Sequence, residues 1–473
     1  MGPESYGLIG FFTLLQNWLV LLDLGMSPTL SREISRFRAG VLSAGNLRYL
    51  FNTLRKGFIF IAVICSLAIF FLSNYLSLHW LKIEKLVHDE VVGCIILMGV
   101  IVALRWIIGI YKAAVNGFEK LIWLSSFNAI FSTFRFVIVF IFLYMFGGSP
   151  VTFFVYQLVV SAVELLIVAI YVSKLLPHVN SQNKDELKPL KSLVGFSLTI
   201  AFTGAVWIVV TQLDKLILSK LLALSEYGYY TLAIQLAGGI QLIGGPISAA
   251  ILPRMAHLEA EGKHDELIRL YRNATQLIVI VSGVSAMVLV FFSQQVLYSW
   301  TGDVVMVEKV SPYLQLYAIG NFLLSVAAFP YYLQYAKGNL RFHLRGNIGF
   351  LVFLVPLLFV AVNLFGGIGA GYVWIIVNGL YLFLWVPFIH NFFDKKLNKE
   401  WYFKDILKII IPVSAMAYLL LFLTPESNTR IVGIIMLLVI ASLLLLIGVL
   451  FSDKARMFAI ELIKKRLSWN KRY

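Results

Sequence analysis

Four ionisable residues lie inside long apolar stretches of the chain: Asp23, Arg105, Arg135 and Glu164. A charge at the centre of a bilayer costs about 2.5–3.5 kcal/mol on insertion scales, so such residues usually face a cavity or a charged partner. Two interpretations stay open. Either Arg135 and Glu164 form an ion pair that locks two helices together, or the arginines line a cavity for an anionic substrate, with Arg105 unpaired. Arginine suits the second role because its planar fork matches phosphate and carboxylate oxygens.

A second group of polar residues lies at the ends of apolar stretches. Asp23 is close to the inner end of its stretch, where it is placed to pair with Arg32. Asp214 and Lys215 together end another stretch, either as a solvated helix end or as a gate. We therefore treat Asp23, Arg32, Asp214 and Lys215 as candidates for gating or for coupling to an ion.

No catalytic constellation accompanies these residues. The seven histidines are scattered along the chain, and the sequence contains no HExxH, GxSxG or phosphate-binding glycine motif. Cys65 and Cys94 lie in apolar runs, without the spacing of a disulfide framework or a metal site. The sequence therefore predicts a protein that is not an enzyme and that uses no cofactor and no metal.

The elements that carry these residues are membrane-spanning helices. Hydrophobic residues make up 60% of the 473 residues and charged residues only 13%, whereas soluble domains average roughly 25% charged residues. A helix needs about 20 apolar residues to cross a bilayer. Thirteen runs approach that length, at residues 6–26, 57–76, 91–111, 125–146, 151–173, 193–213, 227–251, 273–292, 312–335, 346–364, 369–391, 406–424 and 431–451. The predicted fold class is an all-α, multi-pass membrane protein.

Lys and Arg are distributed unevenly between alternate connecting segments. Starting from the segment after the first run, one side holds 30 of these residues and the other side holds 6. The positive-inside rule places the rich side in the cytoplasm. The net charge of +15 therefore needs no nucleic-acid partner, because it is divided among separate loops rather than gathered along one groove.

The two halves of the chain show an internal repeat at an offset of 221 residues. Tyr6-Gly7 matches Tyr227-Gly228, and Gly117 matches Gly338. The halves have the same orientation, which indicates parallel lobes related by an axis along the membrane normal. At the positions equivalent to the four ionisable residues, the second half is neutral.

Helix bends are predicted at equivalent places in the two halves. Gly25 is aligned with Pro246 by the repeat, and Pro330 interrupts a later run. Membrane helices tolerate proline where neighbouring groups satisfy the freed backbone, and such residues often mark bends. Bent helices in repeated lobes suit an alternating-access cycle.

The predicted orientation places the N-terminus outside although no signal peptide precedes the first run. We therefore expect one further helix before Met1 in the complete protein. The predicted division is an N-terminal lobe with five of six expected helices, an inter-lobe cytoplasmic loop, a C-terminal lobe, two additional membrane helices and a basic cytoplasmic tail. Their bounds are 1–173, 174–192, 193–391, 392–451 and 452–473.

The opening segment, residues 2–40, closely resembles the second helix and following loop of the bacterial polysaccharide flippases. These are the Wzx-type O-antigen transporters of the multidrug/oligosaccharidyl-lipid/polysaccharide exporter superfamily. The segment reads GPESYGLIGFFTLLQNWLVLLDLGMSPTLSREISRFRAG. Later segments agree in order and spacing: NGFEK at 116–120, TQLDKLIL at 211–218, SEYGYYTLA at 225–233 and LPRMAHL at 252–258. The resemblance covers nearly the whole chain and departs at the N-terminus, where the family's first helix is absent.

The resemblance implies two six-helix lobes around a central cavity. It implies a substrate, an oligosaccharide repeat unit on undecaprenyl pyrophosphate, which is turned across the bacterial inner membrane for surface polysaccharide synthesis. It also implies energy from a proton or sodium gradient, and association with a polysaccharide polymerase and a chain-length regulator. By chemistry rather than by motif, Arg105 and Arg135, with Glu164, fit a pyrophosphate or acidic sugar in such a cavity.

Other functions stay open at this stage. A small-molecule or drug antiporter of the same superfamily would place acidic residues in the cavity, whereas two arginines are more prominent here. A lipid II flippase would carry a related pyrophosphate substrate. A membrane polysaccharide polymerase would need clustered carboxylates or histidines on a large loop, and the sequence has no such loop.

Overall fold

A computed structural model of the chain describes residues 2–177, 191–424 and 429–457, and gives the backbone alone for residues 191–201 and 203. This part of the chain is helical. We number fifteen helices, and in twelve of them the described residues are long and apolar enough to cross a membrane. The twelve are α1 Pro3–Asp23, α3 Ala44–Trp80, α4 His88–Gly117, α5 Leu121–Phe146, α6 Pro150–Leu175, α8 Leu224–Ala260, α9 His264–Phe291, α11 Val304–Ala336, α12 Arg341–Phe365, α13 Gly367–Phe393, α14 Leu397–Leu423 and α15 Arg430–Phe451. The others are α2 Met26–Arg38, α7 Lys191–Leu221 and α10 Ser293–Thr301.

The prediction of an all-α, multi-pass membrane protein is confirmed. All thirteen predicted runs lie within or overlap these helices, and the run at 193–213 forms part of α7. Several helices extend well beyond their runs because polar residues continue the helix at its ends. Side-chain caps start some of them, with the hydroxyl of Ser43 accepting from Asn46 N–H and the hydroxyl of Ser149 accepting from Thr152 N–H.

The chain divides into two compact units at Gly228/Tyr229, within α8. In the first unit α4 is the central helix, and it packs against α1, α2, α3 and α6. Its apolar residues interlock with those of α2, α3 and α6 in a buried core. The core includes Leu30, Phe51, Phe58, Ile110, Ala114 and Val168.

In the second unit α9 is the central helix, and it packs against α11, α14, α15 and the second half of α8. The last two helices are integral to this unit, since Val413 and Leu444 are buried in the same core as α9 residues. Polar contacts reinforce the packing. Asp405 of α14 is fully buried and pairs with Arg272 of α9 at 2.6 Å, and Ser452 donates a hydrogen bond to Gln276.

The helix order repeats between the two halves of the chain. A broken helix, two long helices, a fourth span and a fifth span follow one another in α1–α6, and the same order recurs in α8–α13. The equivalent first helices begin at Pro3 and Leu224, which are 221 positions apart (224 − 3). The inter-lobe loop predicted at 174–192 lies largely outside the described residues, as does most of the tail predicted at 452–473.

Candidate functional site

Helix α4 places two cations on one face inside the first unit. Arg105 and Lys112 are seven residues apart, which is close to two helical turns, so their side chains project from the same side. The run predicted at 91–111 ends directly before Lys112, which implied a loop position, but α4 continues to Gly117 and contains Lys112. The signal was available in the sequence, since the helical spacing links Lys112 to Arg105.

Helix α6 opposes this face with a row of polar side chains. Gln157, Ser161 and Glu164 follow the i, i+4, i+7 spacing of one helical face, and all three are buried. Val155, Val159 and Leu166 are exposed, and we expect lipid to cover them because the helix is otherwise apolar. The sequence around Glu164 therefore forms a helix whose only polar stripe points into the protein.

Arg105 is bonded entirely through neutral partners. Its guanidinium donates hydrogen bonds to Gln16 Oε1 at 2.7 Å, Gln157 Oε1 at 2.6 Å and Ser161 Oγ at 3.2 Å. The guanidinium carbon also lies 5.1 Å from the centre of the Phe12 ring. Among the described residues, no carboxylate pairs with Arg105. Its charge is thus positioned by several groups and neutralised by none of them.

Glu164 is shared between two cations. It is fully buried, lies 2.9 Å from the Nζ of Lys112, and also forms an ion pair with Arg135. Lys112 and Arg135 remain partly accessible, with 26% and 17% of their side-chain surface exposed. The Arg135–Glu164 pair anticipated from the sequence is present, and Lys112 is a third member that was not anticipated.

Arg135 lies in a π-helical turn of α5, Phe134–Ile138. Such turns release main-chain carbonyls from the regular helical pattern and recur at functional sites. Both released groups have partners on α6: Tyr156 donates to the carbonyl of Phe134 at 2.8 Å, and Gln157 donates to the carbonyl of Arg135 at 3.0 Å. Gln157 therefore connects the backbone of Arg135 to the guanidinium of Arg105.

The site as a whole carries excess positive charge. Three cationic side chains, Arg105, Lys112 and Arg135, face a single buried carboxylate, that of Glu164. Burial makes an uncompensated charge costly, so an anion that enters the site would be stabilised. Guanidinium groups bind oxyanions through paired, charge-assisted hydrogen bonds, and the site can therefore hold a phosphate or a carboxylate.

A pocket of about 420 Å³, with five polar or charged residues in its lining, adjoins Arg105 within the first unit. It lies between the inner end of α1, the start of α2 and the middle of α4. Arg105 and Asp23 both line it, so the structure brings together two of the four ionisable residues singled out in the sequence. The remaining lining residues are Gln16, Asn17, Leu19, Val20, Ser27, Val102, Trp106 and Gly109.

Comparison with known proteins assigns the chain to a family. Residues 1–259 match the profile of a family described as "Polysaccharide biosynthesis protein", and they contain every residue of the cationic site. The chain belongs to this family. A curated relative, the "Putative O-antigen transporter" of Shigella flexneri, is 21% identical over 387 residues, which cover 79% of this chain and 87% of the relative.

Two solved structures share the fold of this chain. A structure titled "Lipid II flippase MurJ, inward closed conformation" has a TM-score of 0.75 at 15% identity, covering 98% of this chain and 94% of its own. An inward-facing multidrug resistance MATE family transporter of the MOP superfamily has a TM-score of 0.69 at 14% identity, with 84% and 92% covered. This member of the polysaccharide biosynthesis family therefore has a transporter fold.

The other candidate residues of this family member lie in α1, α2 and α7, and Asp23, at the end of α1, shares the pocket with Arg105. Asp23 accepts hydrogen bonds from the backbone and hydroxyl of Ser27, at 3.2 and 2.5 Å to Oδ1. Asp214 is buried in α7, and its Oδ1 lies 3.1 Å from the Nζ of Lys215. Arg32 lies in α2, and its predicted pairing with Asp23 stays a prediction.

The residues predicted as bends lie at or beside helix interruptions. Leu24 and Gly25 adopt left-handed backbone angles, with φ of 47° and 71°, between α1 and α2. Pro246 follows a break in α8, between the segments Leu224–Leu242 and Gly244–Ala260. Pro330 follows a break in α11, where the segments Val304–Ala327 and Phe329–Ala336 meet. Their role in a transport cycle stays a prediction.

Proposed function

We propose that this protein is a flippase for undecaprenyl-pyrophosphate-linked oligosaccharide repeat units. It moves them across the bacterial inner membrane by ion-coupled alternating access, for the synthesis of O-antigen, capsule or exopolysaccharide. It acts as a transporter rather than an enzyme. Family membership and the transporter fold support this class of function, and the name of the Shigella flexneri relative points to the same kind of cargo.

The observation that carries the proposal is the cationic cluster of the first unit. A pyrophosphate that links a lipid to a sugar has an acidic oxygen on each phosphate. Arg105, Lys112 and Arg135 offer donors to it, and among the described residues Glu164 is the one carboxylate that pairs with any of the three. The charge of Arg105 is available to such a group because its present hydrogen-bond partners are neutral. Strong, short hydrogen bonds to phosphate oxygens are the expected contacts.

The depth of the cluster suits a substrate that crosses the bilayer. Arg105 is twelve positions from the inner end of α4 at Gly117, and Glu164 is eleven positions from the inner end of α6 at Leu175. At about 1.5 Å per residue, both lie roughly 17–18 Å along their helices from the cytoplasmic ends. A headgroup held there has left the cytoplasmic surface without reaching the opposite one.

A drug antiporter of the same fold is less well supported. Transport of organic cations calls for carboxylates that face the substrate, whereas the single carboxylate of the cluster is already bound by two cations. Ion coupling or gating remains part of the proposal, with Asp23, Arg32, Asp214 and Lys215 as its candidate residues. Association with a polymerase and a chain-length regulator is likewise proposed from the family resemblance.

The proposal is tested by depletion of the protein in its native host, followed by mass spectrometry of the membrane lipids. We expect one complete repeat unit on undecaprenyl pyrophosphate to accumulate, and a plasmid copy of the wild-type gene to clear it. A copy carrying Arg105→Ala, present in the membrane at wild-type level, should fail to clear it. Unchanged lipids and unchanged surface polysaccharide would refute the proposal, while accumulation of lipid II would identify a peptidoglycan precursor as the cargo.

A further inference from the structure

The pocket beside Arg105 has a composition that a pyrophosphate alone does not explain. Asp23 lines it together with two amides, Gln16 and Asn17. A carboxylate repels a phosphate, so a site built only for the anion would exclude Asp23. Carboxylate and amide oxygens accept hydrogen bonds from hydroxyl groups, which a neutral sugar presents in abundance.

The polar groups of the pocket have bonding capacity to spare. Gln16 uses Oε1 to hold Arg105, and Asn17 uses Nδ2 to donate to Gln212 at 3.0 Å. Within the part of the chain that the structure describes, the Nε2 of Gln16 and the Oδ1 of Asn17 have no side-chain or main-chain partner. Ser27 orients the carboxylate of Asp23 from one side. The Nε2 of Gln16 is therefore left as a donor for a ligand, and the Oδ1 of Asn17 and the carboxylate of Asp23 are left as acceptors.

Trp106 gives the pocket an aromatic wall. Its ring stacks on Phe58, with ring centres 4.3 Å apart and planes inclined by 13°. The indole N–H is buried and has no hydrogen-bond partner among the described residues, although indole is a donor that usually finds one when buried. Because this N–H is not open to the pocket surface, the indole must shift before a hydroxyl or acetamido oxygen of a ligand can accept a hydrogen bond from it.

We propose that this pocket binds the uncharged sugar next to the pyrophosphate, while Arg105 at its edge binds the neighbouring phosphate. The proposal rests on the function proposed above and specifies how the same site recognises its substrate. Asp23 and Asn17 accept hydrogen bonds from sugar hydroxyls, and Gln16 and Trp106 donate to sugar oxygens. A site that hydrogen-bonds a ligand discriminates strongly against one that lacks the matching group. The pocket thus makes the protein favour lipids that already carry a sugar over the bare carrier.

The test compares two lipids on the purified full chain in nanodiscs. The probes are undecaprenyl pyrophosphate and the undecaprenyl-pyrophosphate oligosaccharide isolated from the native host, and the readout is the ratio of their dissociation constants. We expect the wild-type protein to bind the sugar-bearing lipid roughly tenfold or more tightly, because each hydrogen bond to a charged group contributes a factor of about ten or more. Asp23→Asn should reduce this ratio several-fold. Arg105→Ala should weaken the binding of both lipids and preserve the ratio of their dissociation constants.

Two further variants make the result decisive. Trp106→Phe removes the indole N–H and retains the ring on Phe58, so it should also reduce the ratio if Asp23→Asn fails to fold. Asp303→Asn is the matched control, because it makes the same change at a helix cap of the second unit, where Asn caps as well as Asp, and it should leave both constants unchanged.

An unchanged ratio in both Asp23→Asn and Trp106→Phe would overturn the proposal. So would an Asp23→Asn protein that keeps the ratio and loses only its response to sodium or pH, since Asp23 would then serve ion coupling and not the binding of the sugar. A wild-type protein that binds neither lipid would instead refute the proposed function. A wild-type protein that binds both equally would leave that function standing and refute the sugar pocket.

Discussion

Gln157 accepts a 2.6 Å hydrogen bond from the guanidinium of Arg105. The same side chain donates to the carbonyl of Arg135 at 3.0 Å, so one amide joins two cations whose charges repel. Glutamine can do this because its amide combines an acceptor and a donor. The like charges of the site are thereby held near each other by a neutral group, and Glu164 compensates them only in part.

Removal of the charge at Arg105 tests the anion site directly. Arg105→Ala deletes the guanidinium while its neighbours Gln16, Gln157 and Ser161 remain. A lost charge-assisted hydrogen bond costs about 1.5–3 kcal/mol, so we expect the rate of transport to fall roughly tenfold to a hundredfold. Arg105→Lys should recover part of the lost transport rate because lysine keeps the positive charge but lacks the planar guanidinium with its paired donors. Transport is measured in proteoliposomes, and a wild-type rate for Arg105→Ala would contradict an anion site.

The Arg135–Glu164 pair should act on stability as well as on transport. Glu164→Gln leaves Lys112 and Arg135 without a counter-charge in a buried site, and breaking a buried pair typically costs about 3–5 kcal/mol. We expect Glu164→Gln to lower the melting temperature in detergent, measured as the temperature at which heating abolishes the monodisperse peak. Arg135→Gln combined with Glu164→Gln should restore most of the thermal stability and still abolish transport. Restored transport in the double variant would show that the pair is structural alone.

Gln157 should be more important for transport than its neighbour Tyr156. Gln157→Leu removes one partner of Arg105 and leaves the carbonyl of Arg135 unpaired, so we expect both stability and transport to decline. Tyr156→Phe is the matched control, because it removes the bond to the carbonyl of Phe134 at a cost of about 1 kcal/mol and leaves Arg105 bonded. Thermal unfolding and transport are measured for both variants. Equal transport losses would mean that the π-helical turn matters, rather than the link to Arg105.

The second unit supplies a contrast between a buried and an exposed ion pair. Asp405 is fully buried against Arg272, and Asp405→Asn should destabilise the protein by about 3–5 kcal/mol. Lys408 and Asp453 are each more than 40% exposed on their side chains, and Lys408→Ala should cost about 0–1 kcal/mol. Thermal unfolding of the two variants checks this difference, and equal shifts would contradict it.

The exposed pair also has a defined pH dependence. A hydrogen bond from Lys408 holds the pKa of Asp453 below its usual range. A lowered pKa in the folded state means that the stabilisation is present above the usual pKa of aspartate and is lost as pH falls through the lowered value. We expect Lys408→Ala to remove this small acid-side contribution. Melting temperatures of both proteins, measured from neutral to acidic pH, should converge at the acid end.

Much of the fold could be predicted from the sequence because membrane helices leave a strong signal. Long apolar runs and the distribution of Lys and Arg follow from the cost of burying charge and backbone in lipid. Arg105, Arg135 and Glu164 were recognisable for the same reason. The partners of Arg105 were not, since Gln16 and Gln157 look like ordinary polar residues until the packing of α1 and α6 on α4 is known.

Two features of the candidate site depended on helix ends and irregular turns. The predicted span ended at residue 111, directly before Lys112, whereas the helix itself continues to Gly117. The π-helical turn at Phe134–Ile138 leaves no distinct sequence pattern, because it is stabilised by side chains of another helix. Tertiary contacts, which a single sequence does not display, decided the π-helical turn, whereas the helical spacing of Lys112 from Arg105 is visible in the sequence.

The most direct measurement is the movement of the undecaprenyl-pyrophosphate oligosaccharide across proteoliposomes. A membrane-impermeant reagent that modifies only exposed sugars would report the rate, with an ion gradient applied and with Asp303→Asn as a control variant. The account predicts that the sugars become exposed to the reagent rapidly with the wild-type and Asp303→Asn proteins, and slowly with Arg105→Ala. Exposure no faster than in protein-free liposomes would contradict the flippase function, and equal rates for wild type and Arg105→Ala would contradict the role of the cationic cluster.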